Sequence, residues 1–170
     1  MELSTIAVVA VSIAACIFDL RTRRIPNALT FGAAMGAWVV ALAQGGPAAL
    51  GWSTAAWLLA TLLFFPAFAL GGMGAGDVKL IGALGAWLGP LGVIYLAFYT
   101  ALAGGVMALV AVLARGYLRE AFRNLYLLLM YWRVQGLRPH PDLSLETSRG
   151  PRLAYAIPIA AGALATLWRQ

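Results

Sequence analysis

Two acidic side chains in this 170-residue chain stand where acidic side chains are costly. Glu2, Glu120, Asp142 and Glu146 fall near an end or in a basic stretch. Asp19, by contrast, closes the apolar run Cys16-Ile17-Phe18, and Asp77 follows the glycine-rich Gly71-Gly72-Met73-Gly74-Ala75-Gly76. Ionisable groups at the edge of membrane-length apolar runs are expensive and are functional by default. Two carboxylates brought together cannot both ionise easily, so they share a proton near neutral pH. The ionised partner can pull a proton from water while the protonated partner donates to a carbonyl oxygen. That is general acid–base hydrolysis of a peptide, with no metal, no cofactor and no covalent intermediate. Singly, each aspartate has a plainer reading. Asp19 can pair with Arg23, four residues on, and Asp77 can cap the helix it opens.

The remaining inventory argues against other chemistries. His140, the single histidine, lies in Arg138-Pro139-His140-Pro141 and reads as a solvated loop residue. Ser12 and Ser53 have no histidine near them in the expected topology, which excludes a serine triad. One cysteine, Cys16, excludes an internal disulfide framework and a multi-cysteine zinc site, and reads as a small apolar packing residue. The glycines before Asp77 permit backbone angles and close approaches closed to other residues, as an extended peptide substrate requires. Gly32, Gly36, Gly82, Gly85 and Gly89 recur at helical spacing and read as helix-packing faces.

The elements that must position the aspartates follow from composition. Hydrophobic residues make up 62% of the chain and charged residues 11%. A soluble domain of this size cannot hide so much apolar side chain, whereas a bilayer can. The fold class expected is all-α: a single polytopic membrane domain over 1–170. Apolar runs at 3–18, 28–43, 50–70, 78–90, 91–114 and 153–168 give about six transmembrane helices, with Gly89-Pro90-Leu91-Gly92 a tight turn. The fourth run is short for a bilayer, at roughly 20 Å.

The net charge of +6 is distributed like the positive-inside bias and not like a nucleic-acid-binding stripe. Arg21, Arg23 and Arg24 follow the first run, Lys79 opens the fourth, and Arg115 to Arg152 fill the segment before the last. All lie on one side, expected to be the cytoplasm, with both termini outside. Within that segment 115–135 carries Arg115, Arg119 and Arg123 on one helix face. Leu118, Phe122, Leu125, Leu129 and Trp132 form an apolar stripe. It reads as a cytoplasmic amphipathic helix in the membrane interface, or as a basic extension of the fifth span. Residues 136–151 read as loop. Ile13-Ala14-Ala15-Cys16 looks like a lipoprotein cleavage box, but the basic residues follow the apolar run instead of preceding it, so the first span is expected to be retained.

Three segments together resemble a known family, the type IV prepilin peptidases. Asp19-Leu20-Arg21-Thr22-Arg23-Arg24-Ile25-Pro26-Asn27 is similar to their first aspartate motif. Gly74-Ala75-Gly76-Asp77-Val78-Lys79-Leu80 is similar to the second, the GxGD motif with its lysine. Ala156-Ile157-Pro158-Ile159-Ala160-Ala161-Gly162 resembles their proline-containing last span. The resemblance implies a membrane aspartic endopeptidase of the bacterial inner membrane. Such enzymes remove the basic leader from prepilin or pseudopilin substrates at the cytoplasmic face. It implies Asp19 and Asp77 as the catalytic pair, with Gly74, Gly76, Asn27 and Lys79 as substrate-binding or supporting residues. Asn27 can hydrogen-bond an aspartate or the substrate, or cap the second span. Lys79 can help place Asp77, or reach for the interface. Pro26 opens the second span. The small size suggests the tight-adherence (Flp) subgroup, with an archaeal preflagellin peptidase a close second. The methyltransferase insert of larger members, with its paired cysteines, is missing, so methyl transfer is not expected.

Two other readings stand beside this one. A proton-coupled transporter or an assembly scaffold would also use buried aspartates, but a transport site belongs near the bilayer midplane. A lipoprotein signal peptidase is also a two-aspartate membrane enzyme, but its site faces outward.

Overall fold

A computed structural model describes residues 2–116, 118–138 and 154–169. Among these the chain is all helical, in the order α1 (Glu2–Thr22), α2 (Asn27–Ala69), α3 (Ala75–Ala114), α4 (Leu118–Gln135) and α5 (Ala156–Arg169). Leu3–Thr22, Asn27–Ala69 and Ala75–Ala114 are long and apolar enough to cross a membrane. Ile6, Ile13, Val39, Leu62, Leu91 and Phe98 are all exposed, an apolar exterior that water does not tolerate and lipid does.

The five helices replace the expected runs because two pairs are continuous except at one residue. Gly46 (φ 65°, ψ −161°) interrupts α2. Gly89 (φ 73°, ψ 172°) interrupts α3. Each is followed by a proline, Pro47 or Pro90, which opens the next helical turn without needing an amide partner. The interruptions reverse the chain. On a straight helix Trp38 and Trp57 would be about 28 Å apart; their ring centroids are 5.8 Å apart. A Cβ on Gly85 would lie 2.9 Å from Val93 Cγ2, against about 12 Å along a straight helix. Thus α2 and α3 are helical hairpins with limbs 27–45 and 47–69, then 75–88 and 90–114. The ends of α3 therefore lie at the same end of the molecule.

The limb 75–88 is the centre of the core, with Leu80, Ile81, Ala83 and Leu84 fully buried. Small residues set its approach distances. A Cβ on Gly82 would meet Trp57 and Thr61, and one on Gly85 would meet Ala56 and Ala60. Gly36 leaves room for the Trp87 ring. Two bonds fix the register, Trp87 Nε1 donating to Ala33 O at 2.9 Å and Ser53 Oγ to Ala86 O at 2.8 Å. Gly32 and Gly89 depart from the packing role expected of them. A Cβ at either meets nothing within 4 Å, and Gly89 serves the chain reversal instead.

One further boundary differs from expectation: the first helix runs on to Thr22, so Asp19 belongs to its last turn. Of the two readings of 115–135, the structure has the separate helix, because Gly116 (φ 68°) separates α3 from α4, which begins at Leu118. His140 and most of the loop expected over 136–151 lie outside the described residues.

Candidate active site

Asp19 is placed by α1 and held by α5. Its residue is 7% exposed. Its Oδ2 accepts a hydrogen bond from the Ala156 backbone N–H at 3.1 Å. One turn earlier, Cys16 Sγ donates to Ala156 O at 3.4 Å. Residues three apart on a helix share a face, so α1 grips both polar groups of one peptide residue at the start of α5. The Ala156 amide is one of the donors that a helix N-terminus cannot satisfy internally, and the helix dipole there favours a carboxylate.

After Asp19 the chain turns sharply. Arg23 N donates to Asp19 O at 2.9 Å, and Arg23 takes a left-handed φ of 53°. The Thr22 hydroxyl lies 2.8 Å from Phe18 O and 3.0 Å from Arg24 O, bracing the turn. Pro26, extended at φ −63° and ψ 138°, is the residue from which α2 starts.

Asp77 is held within its own turn. It stands in the first turn of α3, and its Oδ2 accepts from Gly74 N at 3.2 Å. The Gly74 carbonyl in turn accepts from Asp77 N at 3.1 Å. The capping role open to Asp77 from sequence is therefore realised, from inside the first turn and not from the residue before it. The two glycines have separate uses. A Cβ on Gly74 would sit 3.0 Å from Asp77 Oδ2, so its bare Cα leaves the carboxylate its place. A Cβ on Gly76 would sit 3.3 Å from Ile25 Cβ, so Gly76 lets the turn before α3 press against the link between α1 and α2.

That contact brings the aspartates together. Asp19 and Asp77 line one cavity of about 320 Å³, with Arg23, Arg24, Ile25, Gly74, Ala75 and Gly76 as its other walls. Acidic, basic and bare-backbone surface thus meet at the end of the bundle where α1 ends and α3 begins.

Asn27 and Lys79 find each other. Lys79 Nζ donates to Asn27 Oδ1 at 2.9 Å and lies 5.6 Å from the Phe31 ring centroid, a cation–π distance. Asn27 is the first residue of α2 and not its cap. The pair ties the start of α2 to the start of α3 beside the cavity. Ala156 is the participant that sequence reasoning missed. A backbone amide has no residue-type signature, and the only clue was Cys16 and Asp19 sharing a helix face.

Residues 6–109 match the type IV leader peptidase family, and the chain belongs to that family. It is accordingly a membrane protein of a protease family. No curated protein and no solved structure matches the chain. The matched stretch includes both aspartates and ends before α5, so the Ala156 amide that holds Asp19 comes from outside it.

Proposed function

We propose that the protein is an aspartic endopeptidase that removes the basic leader from prepilin-like substrates, with Asp19 and Asp77 as its catalytic pair. The observation that carries this reading is the shared cavity, which both aspartates line at one end of the bundle. One carboxylate takes a proton from a water as that water attacks the scissile carbonyl carbon. The other donates its proton to the carbonyl oxygen. The tetrahedral intermediate collapses when the leaving nitrogen is protonated, and the pair returns to its starting state. Gly74 and Gly76 let an extended peptide approach, and the Lys79–Asn27 pair supports the wall beside it.

In this reading the hairpins α2 and α3 each cross the bilayer twice. With α1 and α5 they make six crossings, and the aspartate end faces the cytoplasm of a bacterial inner membrane. The positive-inside bias supports that orientation. Arg23 and Arg24 in the cavity wall belong to the same basic side. The size of the chain favours the tight-adherence (Flp) subgroup. A transporter is disfavoured because neither aspartate lies mid-helix: Asp19 is in the last turn of α1 and Asp77 in the first of α3.

The test is reconstitution of the purified protein in vesicles with a prepilin of the tight-adherence type. One cut is expected, releasing the basic leader, with no methyl group transferred from S-adenosylmethionine to the new N-terminus. A reporter inserted at Gly46 should read outside and one following Gln135 inside. Proton flux without cleavage would replace the peptidase by a transporter.

A further inference from the structure

Helix α4 has an apolar stripe that the other described residues do not cover. None of its residues is buried. Its half-buried positions, Ala121, Asn124, Leu128, Tyr131 and Trp132, mark the side nearest the bundle. At 100° per residue the stripe of Leu118, Phe122, Leu125 and Leu129 is centred roughly 100° away from that side. Phe122 is 65% exposed, and Leu125 and Leu129 are each 52% exposed. Beyond the stripe, on the margin away from the bundle, come Arg133, Arg119 and Arg123 in angular order, all exposed. Tyr126 and Met130 alternate with these arginines and Val134 and Leu127 follow them, so the circumference reads bundle, apolar stripe, then a mixed margin that carries the arginines.

Gly116 turns the chain off the end of α3, the end that also carries Asp77, so α4 departs on the same side of the molecule as the aspartates. At that level the membrane offers acyl chains bordered by phosphates. An apolar stripe bordered by guanidinium groups matches that boundary in polarity and in charge, because guanidinium pairs with phosphate in bidentate fashion.

We propose that α4 lies along the membrane surface, its Phe122–Leu125–Leu129 stripe in the acyl boundary and Arg119, Arg123 and Arg133 on the headgroups of anionic phospholipids. The partner is a lipid surface of defined charge and not merely an apolar phase. The role extends beyond peptide hydrolysis: it gathers negative headgroups around the end of the molecule where the aspartates lie, and it anchors the chain between α3 and α5.

The experiment is hydrogen exchange on the full chain in nanodiscs, which read both membrane faces alike. One set is phosphatidylcholine alone; the other contains roughly one third phosphatidylglycerol. In the anionic discs the α4 amides should exchange about tenfold more slowly than in neutral discs, and about 0.5 M salt should erase most of the difference. The limb 75–88 should exchange equally in both and reports an intact fold. The combined variant Arg119→Gln, Arg123→Gln, Arg133→Gln should lose the lipid dependence while keeping the 75–88 protection. Equal α4 exchange in both lipids would overturn the proposal, as would protection retained in the variant. Protection that rises with protein concentration would also overturn it, because a second copy of the chain would then be the cover.

Discussion

Asp19 and Asp77 reach one cavity by opposite means. The amide on Asp77 belongs to Gly74, three residues away, whereas the amide on Asp19 belongs to Ala156, 137 residues away. The Asp77 carboxylate is therefore placed as soon as α3 has its first turn. That of Asp19 is placed only when α5 has docked on α1. Burial follows the same division, Asp19 being buried and Asp77 half-buried. The pair thus joins a locally specified carboxylate to one that depends on completed tertiary structure.

The largest effect should come from removing either carboxylate. Asp19→Asn and Asp77→Asn should each lower prepilin cleavage by at least ~10²–10⁴-fold, the worth of a general acid or base. Asparagine Oδ1 can still accept from Ala156 or Gly74, so helix content and membrane insertion should stay as in the parent. The double variant should be little worse than either single one, because the two groups act as a unit. The parent's rate should follow a bell-shaped pH profile whose limbs belong to the pair. Near-normal cleavage by either single variant would reduce that carboxylate to a structural part, a cap for Asp77 or a clasp on α5 for Asp19.

A smaller loss is expected from forcing the two turns apart. Gly76→Val would push on Ile25, with a displacement near 1 Å and a cost of about 10²-fold in rate. Ile25→Gly in the same chain should restore part of the activity by removing the Cβ that the new side chain meets. Failure of the second change to help would mean that Gly76 matters for backbone freedom and not for the contact.

The comparison is sharpened most directly at Ala156. Ala156→Pro removes the amide on Asp19 at the first position of a helix, where proline is tolerated. A hydrogen bond to a charged group contributes about 1.5–3 kcal/mol, so a loss of ten- to a hundredfold in rate is expected. Placed in Asp19→Asn protein, the same change should add little. Full additivity would show that Ala156→Pro acts by displacing α5. At the small end, Lys79→Met and Asn27→Ala should each cost about 0.5–1.5 kcal/mol of stability, read as a lower denaturation midpoint. Their double variant should cost scarcely more than one of them, since each removes the same bond.

The helical class, the reversal at Gly89-Pro90 and the amphipathic helix were legible in the chain because each has a local cause: apolar run length, a glycine–proline break, a 3.6-residue period. Gly46 was harder to place. Gln44-Gly45-Gly46-Pro47 reads as loop, yet helix persists to both edges of Gly46 and only that residue leaves it. The two aspartates stood out by cost. The partnership of Asn27 with Lys79 did not, because each polar side chain alone offers several roles and only packing of α2 on α3 selects one. The Ala156 contact was least legible of all, being a main-chain group brought in by the docking of α5.

The limb 75–88 is about 21 Å long at 1.5 Å per residue, while the hydrocarbon layer is about 30 Å thick. In the proposed arrangement, with Gly89 near one surface, the start of the limb falls roughly 9 Å short of the other and Asp77 lies a little deeper. The carboxylates then occupy a recess below the phosphates, a depth that a folded globular surface cannot follow. An extended strand or a chain terminus can enter it. Substrate choice would begin with this steric threshold, before any residue of the peptide is read: the protein to be cut must offer a stretch without secondary structure at the membrane boundary.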